Sequence, residues 1–222
     1  IVKVNLETGE TVKKIELPDA GAYSLSALKE HLFVGMSNSS NGKVYIVDLS
    51  TDEVLDKVLT SNTPNCKSSI VKKGRVYVLC EGDSTHPSVV EVFEGNGAFD
   101  HLATLSFGAN AKAVSIKDFG DIAYLGDGEN EESLLYSIDL KDLEVIRDQN
   151  DPIKLDPGST SMGKVTKLAQ DRYDRVWAID EAKKKIFIFN LADDQGSGQV
   201  EIKKTIELNN SPGEIYIRPL FR

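Results

Sequence analysis

The sequence predicts an all-β protein, a β-propeller of four-stranded antiparallel blades, and three observations carry that reading. A strand ending in an acidic or amide residue recurs at Asn5, Asp48, Glu94, Asp139 and Asn190, at spacings of 43, 46, 45 and 51 residues. A second strand type interleaves with it, its first apolar residues being Leu32, Val76, Ile122 and Val176, spaced by 44, 46 and 54. Between these markers the chain shows apolar/polar alternation or short apolar runs bounded by Gly, Asn, Asp and Ser, the pattern of strands rather than helices. Repeats of roughly 40–50 residues with four strands each are the sequence signature of propeller blades.

The first full unit illustrates the parsing. Strand one lies near "AYSLSALK", with a tight turn at Lys29–Glu30, and strand two is "HLFVGMS". The polar loop "NSSNG" leads to strand three, "KVYIVDL", and the turn "STDE" leads to strand four, "VLDKVLT". The Asp or Asn before each strand-three turn suits a turn in which its side chain bonds the backbone two residues on. Mixed apolar runs such as "VYIVDL" and "IFIFNL" fit strands covered on both faces. The best helical candidate, "KDLEVIRDQN", falls where a fourth strand is expected.

One propeller domain over residues 1–222 is expected, with full blades at roughly 22–60, 61–107, 108–155 and 156–208. The stretch 1–17 supplies strands three and four only, and 211–222 supplies an innermost strand. Five blades, the last closed by both termini, is the simplest account; the alternative is a fragment of a six- to eight-bladed propeller. The chain opens at Ile1 within an alternating segment, so a piece preceding it is expected, and targeting information is out of view.

Bulk composition excludes several classes. Apolar residues make up 40% and charged residues 27%, which is ordinary for a soluble globular chain. No apolar run approaches the roughly 20 residues that span a bilayer. The balance of 35 acidic to 26 basic residues gives −9, and no local basic stripe offsets it. Such a chain repels phosphate backbones, so nucleic acid is not an expected partner. A monomer that binds a small molecule or a protein is expected.

The two cysteines fall in one hairpin, "CKSSIVKKGRVYVLC". A turn centred on Lys73 sets Ile70 against Val76, Ser68 against Val78 and Cys66 against Cys80. Opposed residues are close enough for a disulfide at a non-hydrogen-bonded pair. A bridge and two buried free thiols are both open at this point. A bridge would argue for an extracytoplasmic location.

The strand-three pattern resembles the YVTN/YncE-like group of propeller repeats. "IVKVNLETGETV" (1–12), "VYIVDLSTDEV" (44–54) and "LYSIDLKDLEV" (135–145) carry the resemblance. It implies a lactonase-like or surface-layer-like scaffold, often extracytoplasmic, in a group that holds enzymes as well as binding proteins. The unit around "VFEGNGAF" departs from it by lacking the Asp-Leu, and no Tyr-Val-Thr-Asn tetrapeptide occurs. The motif is a hairpin rather than a site.

A ligand is expected over the face made by the loops from strand two to three and from strand four to the next blade. The first set, "SNSSNG", "EGDSTHPS", "DGENEES" and "DEAK", is mostly acidic; the second adds "SNTPN", "GANA", "PGSTSM" and "NNSPG". The candidate ligand-binding residues are Asn65, Glu81, Asp83, His86, Asn110, Asp127, Glu129 and Asp180, with Glu131, Glu132 and Glu181 in the same loops. Clustered oxygen ligands suit a hard cation, Ca²⁺ foremost, although no EF-hand spacing is present and a solvated acidic rim is the plainer reading. His31, His86 and His101 do not cluster in sequence, which argues against a zinc site, and His86 alone falls on this face. No catalytic residue is assigned. Trp177 shares a column with Phe33, Tyr77 and Ala123, which points to packing between blades. The favoured function is non-enzymatic binding, with no cofactor or a divalent cation. The alternative is a divalent-cation-dependent lactonase- or lyase-like enzyme.

Overall fold

A computed structural model describes all residues except 38–40, 96, 174, 191–199, 201 and 211–222. The described residues contain strands and turns but no helix. The chain divides into two compact units, Ile1–His86 with Val90–Thr104, and Pro87–Val89 with Leu105–Arg222.

In the first unit, β1 (Val2–Val4) and β2 (Thr11–Lys14) form a two-stranded sheet. Strands β3 (Ala22–Leu28), β4 (His31–Met36), β5 (Gly42–Asp48) and β6 (Glu53–Ser61) follow as a four-stranded antiparallel sheet in chain order. A second such sheet holds β7 (Cys66–Lys72), β8 (Arg75–Cys80), β9 (Val89–Glu94) and β10 (His101–Ser106). The middle strands carry the core: Phe33, Val34, Val44, Ile46 and Val47 are buried, as are Val76, Tyr77 and Val78, because neighbours cover both faces of these runs. The outer strands β6 and β10 are mostly exposed or half-buried.

The strand-three turns at Asn5, Asp48 and Asp139 form as expected, and the one after Asn190 lies outside the described residues. Asn5 Oδ1 accepts the Glu7 and Thr8 N–H at 2.8 and 3.2 Å. Asp48 Oδ1 accepts those of Ser50 and Thr51 at 2.7 and 3.3 Å. The Ser50 hydroxyl and these N–H groups hold the Asp48 carboxyl below its usual range. The divergent unit has a physical reason. Its Gly95 takes the place of the Leu, and a Cβ there would lie 2.0 Å from Leu28 Cδ2 of the preceding sheet. A few residues on, Phe99 is buried at φ 53° and packs edge-on against Phe33 and His31. Packing between sheets has replaced the polar turn.

Cys66 and Cys80 form a disulfide. The register that pairs them differs from the expected one. The turn is a two-residue one at Lys73–Gly74, both with positive φ, so Lys72 faces Arg75, Ile70 faces Tyr77 and Ser69 faces Val78. A bulge between Cys66 and Ser68 then adds one residue to β7 and brings Cys66 opposite Cys80. The same slip recurs in the first strand of every four-stranded sheet described, at Tyr23, Lys67, Val114 and Thr166.

In the second unit, β11 (Ala113–Phe119), β12 (Ile122–Asp127), β13 (Leu134–Asp139) and β14 (Glu144–Arg147) form one sheet. The short β15 (Ile153–Lys154) also pairs with β13. The segment with the strongest helical look is thus the expected strand. The next sheet is β16 (Val165–Gln170), β17 (Arg175–Asp180), β18 (Lys185–Asn190) and β19 (Ile202–Glu207). Tyr124, Leu135, Ile153, Val165, Val176, Phe187 and Phe189 form the core between them. The two sheets approach closely at Gly126, where a Cβ would lie 2.1 Å from the Val165 carbonyl. The Ser115 hydroxyl donates to that same carbonyl at 2.8 Å. The expected closing strand in 211–222 lies outside the described residues.

Candidate functional site

The loops leading out of strand two are organised by carboxylates at or near the strand end. Asp127, the last residue of β12, is 1% exposed. Its Oδ1 accepts the Glu129 N–H at 2.9 Å and the Asn130 side-chain amide at 2.7 Å, and its Oδ2 accepts the Tyr136 hydroxyl. Burial and the neighbouring Asp127 charge push the Tyr136 phenol well above its ordinary value, so it stays a donor. Asp180, at the matching end of β17, is fully buried. It accepts the Ser133 hydroxyl at 2.6 Å and the N–H groups of Lys164 and Lys183 at 3.1 and 2.8 Å. Both carboxylates, candidates for ligand binding by sequence, are taken up by donors of the protein itself.

A cavity of about 470 Å³ lies beside these anchors in the second unit. Residues 129–132 and Leu134 line one side, and Gly158, Ser159 and Met162 the other. Its walls are loops "DGENEES" and "PGSTSM", one from each of the two loop classes expected to carry a site. Several bonds join them: the Gly163 N–H donates to the Asn130 carbonyl at 2.7 Å, and the Gly158 N–H to Glu132 Oε1 at 3.1 Å. Glu132 also pairs with Lys154 at 2.6 Å, and the Lys154 ammonium, foremost, holds its carboxyl below the usual range. Behind the wall sits Lys183, its side chain 3% exposed. Its ammonium donates to the Glu131 carbonyl, to Ser159 Oγ at 2.9 Å and to Asp156 at 3.3 Å. A buried charge needs such partners, and these three hold both walls in one geometry.

The remaining candidates are placed as follows. In the first unit, the Asn65 side chain donates to the Gly82 carbonyl at 2.8 Å. Glu81 pairs with Lys67 at 2.7 Å. Asp83 Oδ1 gathers the Thr85 N–H and hydroxyl and the His86 N–H, at 2.7, 2.8 and 2.9 Å, and these keep its carboxyl well below the usual range. His86 Nδ1 lies 3.0 Å from the same oxygen. In the second unit, Asn110 is exposed, its N–H donating to Gln149 Oε1 at 2.8 Å. Glu129 lines the cavity. Among the described residues, no group of three or more His, Cys, Asp or Glu side chains converges to hold a metal ion.

The histidines stay apart within the first unit. His31 starts β4 against Phe99, while His101 on β10 meets the buried Glu91 at 2.8 Å. Ser61 and Thr104 also donate to Glu91, both at 2.5 Å. The acid, not the imidazole, is central, which is the wrong order for a Ser-His-acid relay. Trp177 is half-buried, and its ring N–H donates to Asp171 at 2.9 Å. The cavity partners Asp156, Ser159, Met162 and Lys183 were not singled out by sequence, where Lys183 reads as one of several loop lysines.

No protein-family model matches the chain, and no curated protein matches it. Solved structures do. The hydrazine synthase of Kuenenia stuttgartiensis is similar over 87% of this chain and 59% of its own, at 10% identity and a TM-score of 0.69. The periplasmic gluconolactonase of Pseudomonas aeruginosa is similar over 87% and 55%, at 16% identity and a TM-score of 0.63. A streptogramin B lyase is similar over 87% and 56%, at 14% identity and a TM-score of 0.59. The fold is that of a β-propeller. At these identities the likeness concerns the propeller fold alone, and the chain spans less than two thirds of each of the three proteins.

Proposed function

We propose that this propeller is a non-enzymatic binding module whose ligand sits in the cavity between 129–132 and 158–162. The observation that carries the proposal is the bracing of that cavity: Asp127, Asp180 and Lys183, all buried, fix both walls before any ligand arrives. Preorganised walls reduce the ordering cost of binding. The volume falls within the roughly 300–1,000 Å³ usual for small-molecule pockets, while the lining, with Leu134 and Met162 as its apolar residues, is more polar than theirs. The Cys66–Cys80 disulfide supports an oxidising, extracytoplasmic setting. The likeness to a gluconolactonase and a lyase keeps a divalent-cation-dependent lactonase or lyase as the competing reading.

A paired assay separates the two. Thermal shift is measured with a panel of amines, carboxylates, sugars and glucono-δ-lactone, each also assayed for turnover with and without Ca²⁺, Mg²⁺, Mn²⁺ or Zn²⁺. Saturable stabilisation without turnover is expected. Cation-dependent lactone hydrolysis would overturn the binding reading.

A further inference from the structure

We propose that the outer edge of β1 accepts an extended segment of a partner protein, added as an antiparallel strand and reading apolar–acidic–apolar. This surface belongs to the first unit, and its occupation does not depend on the cavity. Ile1 and Ile15 exchange backbone hydrogen bonds at 2.7 and 2.9 Å, and the Asn5 N–H donates to the Glu10 carbonyl at 2.9 Å. Alternation along the strand then turns the N–H and C=O groups of Val2 and Val4 away from β2. Among the described residues, β2 is the only strand paired with β1. The equivalent strand of each four-stranded sheet, β5, β9, β13 or β18, has neighbours on both edges. One face of the hairpin is covered: Ile1 and Ile15 pack onto Val34, Met36, Tyr45 and Val47 of the next sheet. Val2 and Val4 point to the opposite face and remain about half exposed. Their counterparts, Tyr45 and Val47 on β5 and Phe187 and Phe189 on β18, are buried. The hairpin thus shows both the hydrogen-bonding edge and the apolar face that the complete sheets cover. An open edge with apolar side chains is the surface on which a peptide adds as a further strand.

Charge selects the occupant. The two strands hold three lysines and no acidic residue, within a chain of net charge −9. Lys3 and Lys13 face each other, and Lys3 pairs with Asp52 at 2.8 Å. Lys14, opposite Val2, has no carboxylate partner among the described residues. A strand added to β1 sets one of its residues against Lys3, where an acidic side chain is favoured. The residues on either side of it fall against Val2 and Val4, where apolar side chains are favoured. A second copy of this chain does not meet that requirement. Antiparallel pairing through both valines would set Lys3 against its own counterpart, and like charges directly opposite oppose the pairing.

The test is NMR titration of the disulfide-bonded chain at low ionic strength with the end-capped heptapeptide Thr-Thr-Val-Glu-Val-Thr-Thr, and with a comparison peptide carrying Lys in place of Glu. Saturable binding of the Glu peptide is expected, with slowed amide exchange at Val2 and Val4. The Lys peptide should bind about tenfold more weakly. Two variants, each checked for folding by circular dichroism, separate the edge from the charge. Val4→Pro removes an outward N–H without touching the ladder to β2 and should abolish binding. Lys3→Glu should reverse the preference between the two peptides. Equal binding of both peptides, or a preference that Lys3→Glu leaves in place, would overturn the acidic partner. Protection of Val2 and Val4 that rises with protein concentration alone, together with a dimer in sedimentation, would assign the edge to a second copy and overturn the partner reading. Absence of binding by either peptide would overturn the proposal outright.

Discussion

Ser133 donates its hydroxyl to the buried Asp180 carboxylate at 2.6 Å, joining the start of β13 to the end of β17 across 47 residues of sequence. Asp180 also receives two backbone N–H groups, so one carboxylate organises both loops that flank it. Asp180→Ala leaves three donors without their acceptor, and a loss of about 3 kcal/mol is expected in urea unfolding. Ser133→Ala should cost less, about 1 kcal/mol, since two of the donors keep their partner.

Gly95 has room for no side chain, because Leu28 fills the space. Gly95→Leu is expected to destabilise by about 2 kcal/mol through overpacking. Combining it with Leu28→Ala should recover part of the loss, and a double-mutant cycle reads the coupling directly. Additive losses would mean that the two positions do not share this space.

Phe99 combines a positive φ with a buried ring. Phe99→Ala removes the contacts with Phe33 and His31 and should cost about 3 kcal/mol or more. Phe99→Gly loses the same ring but relieves the backbone. It should therefore unfold at higher denaturant than Phe99→Ala, by about 0.5–1 kcal/mol.

Asp171 gives a pH prediction. Burial opposes its ionisation, but the Arg175 guanidinium, the Trp177 ring N–H and the backbone N–H groups of Tyr173 and Arg175 overcome this and hold its pKa at about 2. A carboxyl depressed in the folded state contributes stability above its unfolded pKa and loses it as pH falls through the folded value. Its contribution is thus complete above about pH 4 and disappears towards pH 2. The denaturation midpoint of the native chain should fall more steeply across that window than that of Asp171→Asn, whose side chain does not titrate. Parallel curves would contradict the assignment.

The disulfide closes a short segment of chain, and reduction or Cys66→Ala/Cys80→Ala should lower stability by about 2–4 kcal/mol. Both sulfurs belong to buried residues, so reduction in the native state should be slow and should accelerate with mild denaturant.

The repeat was legible because its markers are local. Asp48 and Asp139 announce their turns two residues in advance, and the structure forms those turns. Counting from a turn centred on Lys73 pairs Cys66 with Cys80 through a register that differs by one residue from the structure's, and the bulge at Lys67 cancels the difference. A bulge leaves little trace in composition, so no count of alternating residues would have placed it. Glu94–Gly95 could be seen to break the pattern, but the cause, Leu28, lies on another sheet. The same limit applies to the site. Asp127 and Asp180 look like free loop oxygens in the sequence; their partners Tyr136, Ser133 and Lys164 are brought to them only by sheet pairing. Lys183 is one lysine of three in a row, and burial alone distinguishes it.

The central claim, a braced cavity that binds a ligand, is tested most directly by methyl NMR of the methionine-labelled protein. The chain has two methionines. Met162 lines the cavity, and Met36 is buried in β4 of the first unit, which makes it an internal control. During titration with a compound of the thermal-shift panel that stabilises the protein, the Met162 methyl signal should shift saturably while that of Met36 stays in place. A ligand that stabilises the protein yet leaves the Met162 signal unmoved would contradict the claim.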